Sequence, residues 1–417
     1  MNMLDLKPDI NLPFLTADLG GTGGVIKESF DDFFVEEIPL YKAGGSGTHT
    51  YMFIEKKGLS TSEAIDRISR ALNILRKDVG SAGLKDARAV ARQWLSVEHI
   101  DSEIIAAMQI ANIKILEITR HTNKLKPGHL AGNRFVIKLR LPQIPLHQAA
   151  LLAEQIMSVL AKRGVPNYFG LQRFGSRKNS HLLGYAVIKS DFEQFIDILL
   201  GRPHPDDIPP VAAACVFYEQ GQYQKALEAW PRVNREQRRA LQFLIKSGGD
   251  KKKAFDAFDK YMKAFYISSY QSYLFNMVLA RRMPDIDSLL VGDMAYKHDN
   301  GACFAVEDAA AEQARCDNFQ ISPTGPLLGH RMTELTGPAG QIENTVLADA
   351  KLDEKDLKRM KRLGARGGRR PLRFQPRNWM VYCGQDDNGD FLQLEFELDS
   401  GCYATMLLRE IAKKDFA

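Results

Sequence analysis

No apolar run in the 417 residues approaches the roughly 20 that a helical membrane span needs. The opening MNMLDLKPDI carries an early acid and lacks an apolar core, so no secretory signal is expected there. Cysteine is scarce: Cys215, Cys303, Cys316, Cys383 and Cys402 are scattered, none in a C-x-x-C pair or at zinc-ligand spacing from histidine. Reduced thiols in a cytoplasmic protein, with no resident metal, are therefore expected. The His-x-Glu and Pro-Cys-x-x-Cys signature of zinc deaminases is absent, as is the G-x-S-x-G of a serine nucleophile elbow. The run GGTGG (20–24) has neither the strand before it nor the helix after it that a dinucleotide fingerprint requires. Val25 and Ile26 stand where a phosphate-cradling loop needs Lys and Ser/Thr. These absences leave no motif for an organic cofactor.

What is present is an ordinary globular composition, 45% hydrophobic and 26% charged, in a chain long enough for two domains. The net charge of +5 is unevenly spread. Residues 355–377 (KDLKRMKRLGARGGRRPLRFQPR) hold ten Lys/Arg against the single acid Asp356, which leaves the rest slightly acidic. Basic charge interleaved with glycine and aromatics suits a polyanion, although a solvated helix end would look similar.

The pattern of elements is mixed. Strands are predicted over Thr48 to Glu55, 92–98, Ile113 to Ile118 and Phe135 to Leu141, with partial alternation over 25–40. Ser60 and Glu63 form a capping box ahead of Ile65, Ile68, Leu72 and Leu75 at helical spacing. A helix over about 148–163 ends at Gly164. From about 165 helical segments dominate (222–230, 234–247, 251–280). Past about 370 strands resume at Trp379 to Cys383 and 391–398, followed by a helix from Ala404 to Lys414. The reading is an α+β fold: residues 1–163 and 371–417 form one domain with an antiparallel sheet, interrupted by a largely helical insertion over 164–370.

Three segments carry candidate chemistry. In SAGLKDARAVARQ (81–93), Ala82 and Gly83 are small enough for close approach to a ring, and Lys85 and Asp86 stand in a loop where functional groups are often displayed. Alone, Lys-Asp in a loop is most often a solvated pair. In GNRF (132–135), Asn133 can hydrogen-bond a base edge and Phe135 offers a face for stacking; the alternative is a turn residue and a core phenylalanine. In GVPNYFGLQRFG (164–175), Tyr168, Phe169, Phe174 and Arg173 are set among glycines and a proline, which suits splayed RNA or a hydrophobic hinge.

These segments, with GGVIKESFDDFFVEEIPLY (23–41), GSGTHTYMFIEKKGLST (45–61), NKLKPGHLAGNRF (123–135), YQSYLFN (270–276) and FELDSGCYATMLLREI (396–411), occur in the order found in the TruD family of tRNA pseudouridine synthases, which the chain resembles from about residue 23 to 411. The match is poor near 185–260. The resemblance implies a circularly permuted pseudouridine synthase domain interrupted by an inserted TRUD domain, acting on tRNA, usually at uridine 13, with no cofactor and no obligate protein partner. It implies Asp86 as the catalytic carboxylate, Lys27 as its basic partner, and Phe135 and Asn133 as contacts to the base. Arg173, Arg369 and Arg370 are expected to meet RNA, on charge and context. Phe30 and Asp399 stand where the family commonly has proline, and Ala91 where it often has threonine; none of these removes a proposed catalytic group. A non-catalytic RNA binder, or a synthase acting on another RNA, are the rival readings.

Overall fold

The computed structural model describes residues 12–416, so the opening MNMLDLKPDI lies outside the described residues. The chain divides into two compact units: one of Thr16–Val165 with Phe374–Phe416, the other built mainly of Pro166–Arg373.

In the first unit the chain enters a 3-10 turn, Phe30–Asp32, and then β1 (Phe33–Pro39). There follow β2 (His49–Lys57), α1 (Thr61–Ala71), β3 (Gly80–Ser81), β4 (Val90–Glu98), α2 (Ser102–Ala106), β5 (Ile113–His121), β6 (Leu130–Arg140) and α3 (Leu146–Arg163). The predicted capping box is in place: Ser60 Oγ accepts from the Glu63 amide at 3.1 Å, and the Glu63 carboxylate accepts from the Ser60 amide at 2.8 Å. Gly164 ends α3 with φ 95°, a left-handed conformation that favours glycine.

The second unit carries α4 (Ser180–Lys189), α5 (Phe192–Leu200), α6 (Pro209–Glu219), α7 (Tyr223–Ala229), α8 (Arg235–Ser247), α9 (Lys251–Asp256) and α10 (Lys260–Arg282). The single helix expected over 251–280 is two. Asp259 caps a new start, its carboxylate accepting from the Met262 amide at 2.8 Å. The sequence reading also misses a four-stranded sheet of β7 (Met294–Lys297), β8 (Cys303–Ala305), β9 (Ile321–Leu327) and β10 (Gly368–Pro371), in the order β10-β9-β7-β8. Between these strands lie α11 (Ala309–Asp317), α12 (Gly337–Asp349) and α13 (Glu354–Arg362).

Back in the first unit, β11 (Arg377–Asp386), β12 (Gly389–Asp399) and α14 (Ala404–Ala412) complete an eight-stranded sheet, in the order β11-β12-β6-β1-β4-β2-β5 with β3 beside β4. The β1–β4 pair is parallel and the other pairs are antiparallel. Register places Val35, Phe135 and Phe396 in one row across β1, β6 and β12. All three are buried, and each large apolar side chain buried this way stabilises by roughly 1.5–3 kcal/mol. Gly132 permits the close approach of β6 and β12: a Cβ there would sit 2.2 Å from the Leu398 carbonyl oxygen. The departures from the family pattern are accommodated. Asp399 pairs with Arg377 at 2.6 Å, and Ala91 is fully buried in the sheet.

Candidate active site

The loop between β3 and β4 is anchored residue by residue. Ala82 packs with Tyr51 and Leu125. The Lys85 amide donates to Thr61 Oγ1 at 2.8 Å, and that hydroxyl donates to Gln93 Oε1 at 2.8 Å. The Lys85 ammonium turns inward and pairs with Glu37 at 2.9 Å, both side chains almost fully buried. Burial pushes the Glu37 carboxyl above its ordinary value, with the Lys85 charge pulling the other way. Lys85 is thus a structural residue and not half of a solvated pair. Asp86 turns outward, its side chain 47% exposed. At Gly83 a Cβ would make only ordinary contact with Leu130, so the fold itself does not demand glycine there.

Lys27 arrives from the segment before β1. Its backbone is held at φ 61°, uncommon for a residue with a Cβ. Its ammonium donates to Asp86 Oδ2 at 3.2 Å and lies 4.3 Å from the centroid of the Phe33 ring. Phe33 meets Phe135 edge-on, with centroids 6.2 Å apart, and Phe135 stacks on Phe396 at 5.4 Å. A continuous chain of contacts therefore runs from Asp86 through Lys27 and Phe33 to Phe135. Phe135 is 8% exposed, a core member of this aromatic row as well as a candidate base contact. Asn133, two residues earlier on the same face of β6, lies opposite Glu37 and Leu398. Its Oδ1 is buried and has no hydrogen-bond partner among the described residues. Leaving such a group unmatched costs roughly 1–3 kcal/mol. Sequence reasoning missed Phe33; its alternation with Val35 and Glu37 was the available signal.

The three arginines expected to meet RNA all lie in the second unit, and not in one setting. Arg173 donates to Ser272 Oγ at 3.1 Å and to Ser268 Oγ, with its guanidinium over Phe265. Arg370 lies 4.4 Å from the centroid of Phe169 and donates to Asn167. Arg369 is different. Its side chain, 4% exposed, is locked to the equally buried Glu343 at 2.8 Å. Its charge is neutralised internally, so in this conformation it offers nothing to a phosphate. Of the basic stretch, Lys355, Lys361, Arg362 and Arg366 are exposed and make no ion pair among the described residues. The YQSYLFN segment lies on α10, where Asn276 brackets the 164–175 loop: its Oδ1 accepts from the Phe169 amide and its Nδ2 donates to the Phe169 carbonyl, both at 2.9 Å.

No helix among the described residues is long and apolar enough to cross a membrane, and no group of three or more His, Cys, Asp or Glu there is placed to hold a metal. The fold is α+β, with a mixed sheet in the first unit and a mainly helical second unit. The family model for tRNA pseudouridine synthase D (TruD) matches residues 9–411. Proteins named tRNA pseudouridine synthase D from Geobacter sulfurreducens and Geobacter metallireducens are 44% and 43% identical, each alignment covering 96% of this chain and 97% of the relative. One from Thermus thermophilus is 34% identical over 96% of this chain and 92% of its own length. The crystal structure of the tRNA pseudouridine synthase D candidate from Methanosarcina mazei superposes with a TM-score of 0.83 at 26% identity, covering 97% of this chain and 96% of that one. The chain belongs to the TruD family of tRNA pseudouridine synthases.

Proposed function

We propose that the protein isomerises uridine 13 of tRNA to pseudouridine in the cytoplasm, with Asp86 as the catalytic carboxylate, in a catalytic domain interrupted by a TRUD domain. The observation that carries this reading is the Lys27–Asp86 contact of 3.2 Å beside the Phe33–Phe135 pair.

The chemistry requires the bond from C1′ to N1 to break, the freed uracil to turn, and C5 to bond to C1′. The C5 proton leaves and N1 ends with one, so atoms balance without redox or group transfer. A carboxylate can attack as nucleophile or remove the C5 proton, and either role needs the ionised form. Lys27 fixes the direction of that carboxylate. Asp86 is displayed, as a group that must reach an extruded nucleotide has to be. Asn133 supplies a buried acceptor for an N–H of the uracil edge, and Phe135 supplies aromatic surface beside it. Extrusion costs a few kcal/mol of lost stacking, which contacts to the base and to the RNA backbone offset. The exposed cations Lys355, Lys361, Arg362 and Arg366, together with Arg173 and Arg370, are the groups we assign to RNA.

Incubating the protein with unmodified total tRNA and mapping carbodiimide-reactive pseudouridines tests this. The expected result is a new signal at position 13 of particular tRNAs. A signal confined to other RNAs or other positions overturns the substrate assignment, and no signal at all overturns the enzymatic one.

A further inference from the structure

Lys56, near the end of β2, is fully buried and makes no ion pair among the described residues. Its ammonium donates instead to two backbone carbonyls, those of Leu59 and of Asp86, the latter at 2.8 Å. A buried lysine without a carboxylate partner is costly to fold, so its place here needs a reason. Neither end of the contact is a surface accident. Lys56 sits on a central strand paired on both sides, opposite Ala91 of β4 and Ile113 of β5. The loop it grips is held at the preceding residue by Thr61 and Glu37.

From this we infer that Lys56 is a positioning residue for the isomerisation: it pins the main chain of Asp86 from behind while Lys27 orients the side chain from in front, so that one loop residue is clamped between two ammonium groups. The inference rests on Asp86 being the catalytic carboxylate. The division of labour follows from the donor geometry. Lys27 reaches the carboxylate oxygen, whereas Lys56 reaches the carbonyl one bond beyond the Cα. Holding the carbonyl restrains the peptide plane beside the Cα and so limits how far the side chain's base can shift, and a displacement of about 1 Å in a reacting group can cost on the order of 100-fold in rate. Burial also lowers the Lys56 ammonium to about 8, with Asp86 and Glu63 opposing the fall and Lys85 adding to it. The positive charge behind Asp86 is therefore lost across a pH range accessible to assay.

Two variants test the assignment. Lys56→Met keeps the shape and removes both hydrogen bonds and the charge; Lys56→Arg keeps a charge that does not titrate in this range. With the variants folded by circular dichroism, Lys56→Met should retain tRNA affinity within about 3-fold and lose about 100-fold or more in kcat. Amide hydrogen exchange over 82–87 should accelerate at least several-fold in the same variant. The wild-type kcat should fall with a midpoint near 8 on the alkaline side, and that limb should be absent from Lys56→Arg. A Lys56→Met enzyme with kcat within about 3-fold of wild type, or with unchanged exchange in the loop, overturns the inference. So does an unchanged alkaline limb in Lys56→Arg. If Asp86→Asn is fully active, the reading of Asp86 fails instead, which separates the two failures.

Discussion

At the scale of single residues, the site is a set of unlike environments imposed on adjacent side chains. Lys85 and Asp86 are neighbours in sequence, yet one is buried against Glu37 and the other faces outward toward Lys27. Sequence alone could nominate the dipeptide but not divide it, because the division depends on Glu37, 48 positions away from Lys85 in sequence, reaching into the sheet. Lys27 was legible only through family resemblance; nothing in its local sequence announces a left-handed lysine. Replacing it by methionine should leave tRNA binding nearly unchanged and reduce kcat by about 10²–10³-fold, as removal of a preorganised donor commonly does; single-turnover rates on tRNA measure this. Phe135→Leu is expected to cost stability through the lost stack on Phe396, about 1 kcal/mol beyond the area removed, and to raise KM; urea melts and steady-state kinetics check the two effects separately.

At the scale of elements, the first unit was the more readable. Its strands β2, β4, β6 and β12 alternate or run apolar over nine to eleven residues, and α1 and α3 carry their own caps. The sheet of the second unit was not readable, for a physical reason. β9 reads ISPTGPL, with two prolines and a glycine inside a strand, and β8 has three residues. Proline removes ladder donors and normally argues against a strand; here burial of the whole segment overrides it. The long helix over 251–280 was misread because its apolar periodicity continues through the Asp259 cap. Ion pairs join elements from the two sequence-distant parts of the first unit. Arg140 on β6 pairs with Asp32 before β1 at 2.6 Å and with Asp386 on β11 at 2.9 Å. Burial works to raise Asp32, but the hydrogen bond and charge of Arg140 together with hydrogen bonds from Ser29 outweigh it and the net shift is downward. Asp386 is held well below the usual carboxylate range by Arg140 and Lys138. Lowered carboxylate values stabilise above the ordinary value near 3.8, and that contribution is lost as pH falls through the lowered ones. Urea midpoints should therefore drop between pH 5 and pH 2.5 in the wild type, with a smaller drop in Arg140→Met. At pH 7 that variant leaves Asp32 buried without its cation and should lose about 3–5 kcal/mol. Equal acid sensitivity in both proteins would assign the pH dependence to other groups.

At the scale of the whole molecule, the basic stretch identified from charge counting resolves into two populations. Arg359, Arg369 and Arg373 are engaged internally, whereas Lys355, Lys361, Arg362 and Arg366 are exposed. Composition cannot make that distinction, since it depends on which face of α13 packs and on Glu343 waiting beneath β10. Replacing Lys361, Arg362 and Arg366 together by alanine should weaken tRNA binding and flatten the salt dependence, by about 0.7–0.9 in slope for each phosphate no longer neutralised. Arg369→Ala should instead lower stability by about 3–5 kcal/mol, because Glu343 is left buried and unpaired, and should leave the slope unchanged. Binding titrations across a salt series, with melts on the same samples, distinguish the two. The proposed activity stands on the carboxylate of residue 86. The most direct test is Asp86→Asn assayed by pseudouridine mapping on unmodified tRNA, with binding measured in parallel. The expected outcome is tRNA affinity within a few-fold of wild type and no detectable pseudouridine; pseudouridine formed at the wild-type rate would contradict it.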